Sequence, residues 1–129
     1  MKYILFLFIC LPMISLGQSA EDLAQQQLTA YNDRNIEAFL EPYSDTVKIY
    51  AFPNTLMYTG KQLMKERYGS MFERTPELHC KLLNRIVQGN TVIDQEEVTL
   101  SSDRDKIYAI AVYKIWDSKI QEVYFIYDR

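Results

Sequence analysis

Apolar residues recur at helical spacing as far as Phe72, then at every second position from Leu78 to the end, so the chain divides into a helical part and a strand part. Ala24, Leu28 and Tyr31 fall at i, i+4 and i+7 and predict an amphipathic first helix. Ser19 followed by Asp22 fits a capping box at its start. Asn32 to Asn35 is a polar break, after which Asn35 can cap a short second helix over Ile36 to Glu41 that turns Phe39 and Leu40 inward. Pro42 stops it. Val47 to Tyr50 reads as a first strand and Ala51 to Gly60 as a loop broken by Pro53, Asn54 and Gly60. Met64, Tyr68, Met71 and Phe72 then predict a third helix.

From Glu77 the pattern is β throughout. Leu78 to Gln88 and Thr91 to Leu100 are separated by Gly89-Asn90, which suits a type II′ hairpin turn. Pairing Gln88 with Thr91 places Ile86 opposite Ile93, Arg85 opposite Asp94, Asn84 opposite Gln95 and, carried onward, His79 opposite Leu100. Ser101 to Asp105 makes the next turn, Lys106 to Trp116 a strand, Asp117 to Lys119 a tight turn and Ile120 to Tyr127 the last strand. Helices first and an antiparallel meander after them predict an α+β fold.

Two apolar faces emerge from this reading. Ile107, Ala109, Ala111, Tyr113 and Ile115 share one face with Val123, Phe125 and Tyr127. The opposite face carries Tyr108, Ile110, Val112, Lys114 and Trp116 with Glu122, Tyr124 and Ile126, and is more apolar than a solvated face should be. That second face is a candidate surface for homodimerisation, against the alternative of scattered surface apolar residues.

The amino-terminal run MKYILFLFICLPMISLG has one Lys, an apolar stretch and small residues at its end. This is the layout of a secretory signal peptide and predicts export, to the periplasm or medium, with cleavage after Gly17. A transmembrane anchor is the competing reading, but the run falls short of the roughly 20 apolar residues a bilayer span needs and contains Pro12. Cys10 follows Ile9, which does not fit a lipoprotein signal, so no stable membrane anchor is expected. Residues 18–129 then make one domain holding Cys80 alone, either a buried apolar thiol or a partner for a disulfide between chains. The net charge of −3 and the lack of any basic block give no reason to expect nucleic acid as a partner. There is no HExxH, CxxC, GxSxG or phosphate-loop pattern, and no metal or other cofactor is expected.

A helix, the break Asn32-Asp33-Arg34-Asn35, a second helix, then Tyr43-Ser44-Asp45 and a strand resembles the opening of the NTF2-like superfamily, which includes ketosteroid isomerase and the SnoaL-like proteins. The resemblance covers nearly the whole of 18–129. It implies a cone of three helices packed on a curved, mostly antiparallel sheet of about six strands, with a pocket between them in the enzymatic members and dimerisation through the outer sheet face in many. Ten tyrosines are present, and Tyr31, Tyr50, Tyr58, Tyr68, Tyr113 and Tyr127, with Phe52 and Phe125, are candidates to line such a pocket. A tyrosine offers apolar area with a polar tip, suited to a small, largely apolar ligand, though each ring can equally be core with a satisfied hydroxyl.

Ketosteroid isomerase moves a proton with an aspartate and stabilises the oxyanion with a tyrosine and a protonated aspartic acid. On alignment those positions fall at Ala51, Gln27 and near Ala111, so the resemblance is one of fold without the catalytic set. Other acid–base candidates are His79, the only histidine, and Asp94 with Glu96 and Glu97; SnoaL-type cyclases use a histidine and an aspartate in the cone. Six residues of strand, roughly 20 Å, separate His79 from Asp94, too far for a direct dyad. Arg85 with Asp94 also has a plain reading as a cross-strand ion pair. Asn84 and Gln95, with Glu97, are polar orienting groups if their face lines the cone and ordinary surface residues if it does not. The expected role is binding of a small apolar molecule. An isomerase, cyclase or hydratase using Asp94 or His79 is the second reading, and a dimeric assembly module with a filled cone the third.

Overall fold

The computed structural model describes residues 17–128. The signal-peptide reading concerns a segment that lies, apart from Gly17, outside the described residues. Three helices, α1 (Ala20–Asn32), α2 (Ile36–Leu40) and α3 (Lys61–Arg74), and six strands, β1 (Tyr43–Ala51), β2 (Thr55–Thr59), β3 (His79–Gln88), β4 (Thr91–Thr99), β5 (Ile107–Trp116) and β6 (Lys119–Tyr127), build an α+β fold. The capping box closes α1 at both donors: the Asp22 amide donates to Ser19 Oγ and the Ser19 amide to Asp22 Oδ2, each at 3.1 Å. Asn35 caps α2 by accepting from the Ala38 amide at 3.1 Å.

The sheet runs β2-β1-β6-β5-β4-β3, antiparallel except for the β1–β6 pair. The helices lie on one face. Leu23 and Ala24 of α1, Phe39 of α2 and Met64 and Phe72 of α3 share a core with Val47, Ile49, Val92, Ala111, Tyr113 and Val123 of the sheet. That core is the aliphatic and aromatic stripe of both periodicities brought face to face.

Three local expectations change. The segment read as a loop holds β2, a short edge strand that buries Tyr58 while its neighbours Leu56 and Met57 stay exposed, so it offers little alternation to read. The first strand begins at Tyr43 rather than Val47. On β3 the hairpin register is as read from Gln88 back to Asn84, with Gly89 in the left-handed region at φ +56°. A bulge at Leu83 then shifts the ladder, and His79 pairs with Thr99 rather than Leu100. Strand faces alternate with period two, so this one extra residue turns Cys80 inward and His79 out to solvent.

Candidate functional site

A cavity of about 290 Å³ lies between the helices and the concave face of the sheet. Its walls come from every layer: Gln27, Leu28 and Tyr31 of α1, Phe39 of α2, Arg67, Tyr68 and Met71 of α3, and from the sheet Tyr43, Ile49, Met57, Tyr58, Cys80, Glu96, Val98, Ile107, Ala109, Tyr113, Phe125 and Tyr127, with Leu100. The aromatic rings pack on one another both at an angle and stacked. Phe39 packs against Tyr68 at 4.6 Å between centroids, Tyr31 meets Phe72 edge-on at 5.5 Å, and Phe125 stacks on Tyr127 at 5.9 Å.

Four buried polar groups form a chain of hydrogen bonds through this apolar wall. Tyr43 OH donates to Gln27 Oε1 at 3.2 Å, Gln27 Nε2 donates to Tyr113 OH at 3.0 Å, and Tyr113 OH points on to Glu96 Oε1 at 3.4 Å. Gln27 Nε2 also donates to the Ala24 carbonyl at 3.0 Å, which fixes the amide. Every donor in the chain points toward the Glu96 carboxyl, the arrangement that supports an anion there.

Glu96 is nonetheless hard to ionise. Burial is the main cause and the nearby Asp94 charge the second, and they outweigh the Tyr113 and Cys80 hydrogen bonds and the Arg85 charge. The carboxyl is pushed up to about 7. A group poised there can hold or release a proton near neutral pH and can donate or accept a hydrogen bond. Burial also raises the tyrosine hydroxyls, Tyr58 up to about 12 and Tyr43, Tyr68 and Tyr113 well above the ordinary value, so they stay neutral donors. It raises the Cys80 thiol as well, with Glu96 and Asp94 adding to the effect. Cys80 is a buried thiol, and its backbone is clamped by Asn32, which donates to the Cys80 carbonyl at 2.9 Å and accepts from its amide at 2.8 Å.

The structure places the candidate residues in three groups. Tyr31, Tyr58, Tyr68, Tyr113, Phe125 and Tyr127 line the cavity. Tyr50, Phe52, Asn84 and Gln95 do not: Tyr50 stacks on Tyr124 at 4.6 Å on the other sheet face, Phe52 is exposed beyond the end of β1, and Asn84 and Gln95 sit exposed on the outside of the β3–β4 hairpin. Asp94 faces inward but outside the cavity lining. It is fully buried and held at both oxygens by Arg85, Nε to Oδ1 at 2.7 Å and Nη2 to Oδ2 at 2.8 Å, while Arg85 Nη1 donates to Gln25 of α1 at 3.0 Å. A carboxylate occupied in this way joins a helix to the hairpin and has no free edge for a substrate. His79 is exposed and outside the lining. Glu97 is on the outer face with Lys106 at 2.7 Å. Of the aligned isomerase positions, Gln27 lines the cavity, whereas Ala51 and Ala111 do not.

The residue that sequence reasoning undervalued is Glu96. Its signal was parity: it shares the face of Val92, Asp94 and Val98, all set by the hairpin turn, while Asn84 and Gln95 share the other.

These helices, this strand order and this cavity define a cone-shaped α+β domain of the NTF2-like class. A model of the SnoaL-like domain matches residues 24–123, and the chain belongs to that family. Among solved structures it is similar to an uncharacterized cystatin-fold protein from Novosphingobium aromaticivorans, with 22% identity, a TM-score of 0.79 and coverage of 85% of this chain and 99% of that one. It is also similar to an NTF2-like protein of unknown function from Cytophaga hutchinsonii, with 15% identity, a TM-score of 0.74 and coverage of 89% and 95%. An LEH-like epoxide hydrolase of M. tuberculosis shares the fold at 12% identity and a TM-score of 0.70, over 87% of this chain and 84% of that one. Matching structures further include a proposed ketosteroid isomerase from Kribbella flavida and a proposed SnoaL-like polyketide cyclase from Jannaschia. No curated protein matches the chain by sequence.

Proposed function

We propose that this domain binds a small, largely apolar molecule in the cone, with Glu96 as the polar group that orients it. The observation that carries this reading is a cavity walled by aromatic and aliphatic side chains around one carboxyl, Glu96, that has no cationic partner within salt-bridge distance among the described residues. Its volume is at the small end for ligand sites, which favours a compact molecule. Native mass spectrometry of the protein purified from its own host tests this. A co-purifying molecule at one per chain is expected, lost when Ala109→Trp fills the cavity. An empty wild-type protein that also takes up no apolar probe sinks the reading.

A second reading, an acid–base enzyme of the isomerase, cyclase or hydratase type, is favoured by the neutral-range titration of Glu96 in a wall of mostly apolar side chains. Glu96 takes the part first considered for Asp94 and His79, because Asp94 is bound to Arg85 and His79 faces solvent. Once a bound molecule is known, turnover by the wild type and none by Glu96→Gln, with affinity kept, would select this reading.

Two further expectations stand as proposals beside it. The chain is exported, testable by the amino terminus of the protein recovered from its host. It also pairs as a homodimer through the outer face of β5 and β6, where Tyr108 and Trp116 are 48% and 44% exposed. Light scattering on Tyr108→Lys/Trp116→Lys decides between a dimer that dissociates and a protein that is monomeric throughout.

A further inference from the structure

Among the described residues the cone has one ionisable carboxyl inside, Glu96, and one cation, the exposed Arg67 of α3, at its mouth. The guanidinium carbon of Arg67 sits 4.6 Å from the centroid of the Tyr58 ring. A cation–π contact of this kind takes no oxygen acceptor and leaves the N–H edge of the guanidinium with hydrogen bonds to give. Among the described residues no carboxylate or side-chain acceptor takes that edge, although Lys61 and Lys65 of the same helix have found Asp45 and Glu37. Arg67 is thus a pre-oriented, unpaired cation at the opening of an apolar pocket, a geometry matched by a carboxylate that can bridge two of its N–H groups. The Coulombic effect of Arg67 is felt at Tyr58, while the cation that acts on Glu96 is Arg85, so the two poles of the cone are separate.

We propose that the ligand of the cone is an amphipathic carboxylic acid, its carboxylate held edge-on by Arg67 at the mouth, its apolar body along Tyr58, Phe125 and Tyr127, and its uncharged leading end toward Glu96. Glu96, whenever ionised, repels the carboxylate and disfavours the reversed orientation. The inference rests on the cone being the ligand site, and it adds the class of ligand and the direction in which it enters.

The test uses N-phenyl-1-naphthylamine, a neutral probe that brightens in apolar sites, displaced by naphthalene-2-carboxylate or by naphthalene-2-carboxamide, which have the same ring and differ in charge. In the wild type the carboxylate should displace the probe about five- to tenfold better than the amide, the worth of one charge-assisted hydrogen-bonded contact at a half-open site. Arg67→Gln should bring the carboxylate-to-carboxamide ratio, each taken against that variant's own probe affinity, to about one, and Arg67→Lys should fall between, keeping charge without the planar edge. No preference in the wild type, or a preference that survives Arg67→Gln, overturns the carboxylate inference and leaves the apolar pocket standing. Probe binding that is undiminished in Ala109→Trp, or absent from the wild type, overturns the pocket reading itself.

Discussion

Asp94 and Glu96 stand two residues apart on the same face of β4, and their surroundings give them opposite work. Asp94 lies where α1 closes over the hairpin, and Arg85 reaches both of its oxygens. Glu96 lies where the helices stand off from the sheet and leave a cavity, and its hydrogen-bond partners are uncharged, the Tyr113 hydroxyl and the Cys80 thiol. Both carboxyls are buried, but Asp94 meets a guanidinium while Glu96 meets none, and burial pushes the Glu96 carboxyl up to about 7. Burial alone does not make a functional acid; what decides is whether a cation has been placed to compensate it.

The comparison breaks first at the ion pair. Arg85→Met leaves Asp94 buried and uncompensated, and urea unfolding should show a loss of about 3–5 kcal/mol, most of it recovered when Asp94→Leu is added. Glu96 should behave in the opposite sense. Its pKa of about 7 in the fold exceeds its ordinary value of 4.5, so between those pH values the folded state holds a proton that the unfolded state has lost. Stability therefore falls as pH rises from about 4.5 through 7 and stays lowest above. Glu96→Gln should remove that slope and be more stable than the wild type at pH 8, by roughly 3 kcal/mol, while matching it near pH 4.

Tyr113→Phe sharpens the picture at smaller scale. It deletes the donor to Glu96 and the acceptor for the Gln27 amide, at a cost of about 1–2 kcal/mol. Because that hydroxyl lowers the Glu96 pKa, its removal should move the carboxyl titration upward. His79→Gln, exposed and outside the cavity lining, should change stability by less than about 0.5 kcal/mol and leave probe binding untouched.

Much of the architecture was legible because it rests on local chemistry. Ser19 with Asp22 and Asn35 mark helix starts through side-chain oxygens, and Gly89 marks the hairpin turn. The inward faces of β5 and β6 follow from alternation alone. The site was legible only in part, since register decides it. Reading alternation back from Arg85 puts His79 on the inward face, and nothing in Leu82-Leu83-Asn84 announces the bulge that reverses this. The same parity that carries Asp94 inward carries Glu96 inward too, and the register already pairs Asp94 with Arg85, but whether the helices leave a cavity beside Glu96 is decided by tertiary packing. β2 escaped notice because an edge strand with one buried side chain has little periodicity to detect.

Carbon-13 NMR of glutamate side-chain carboxyls, in the wild type and in Glu96→Gln, tests the account most directly. One resonance should titrate with a midpoint near 7, vanish in the variant, and shift when N-phenyl-1-naphthylamine is added. A Glu96 resonance with a midpoint below about 5, indifferent to the probe, would contradict the claim that an unpaired acid in the cone is the working group of this protein.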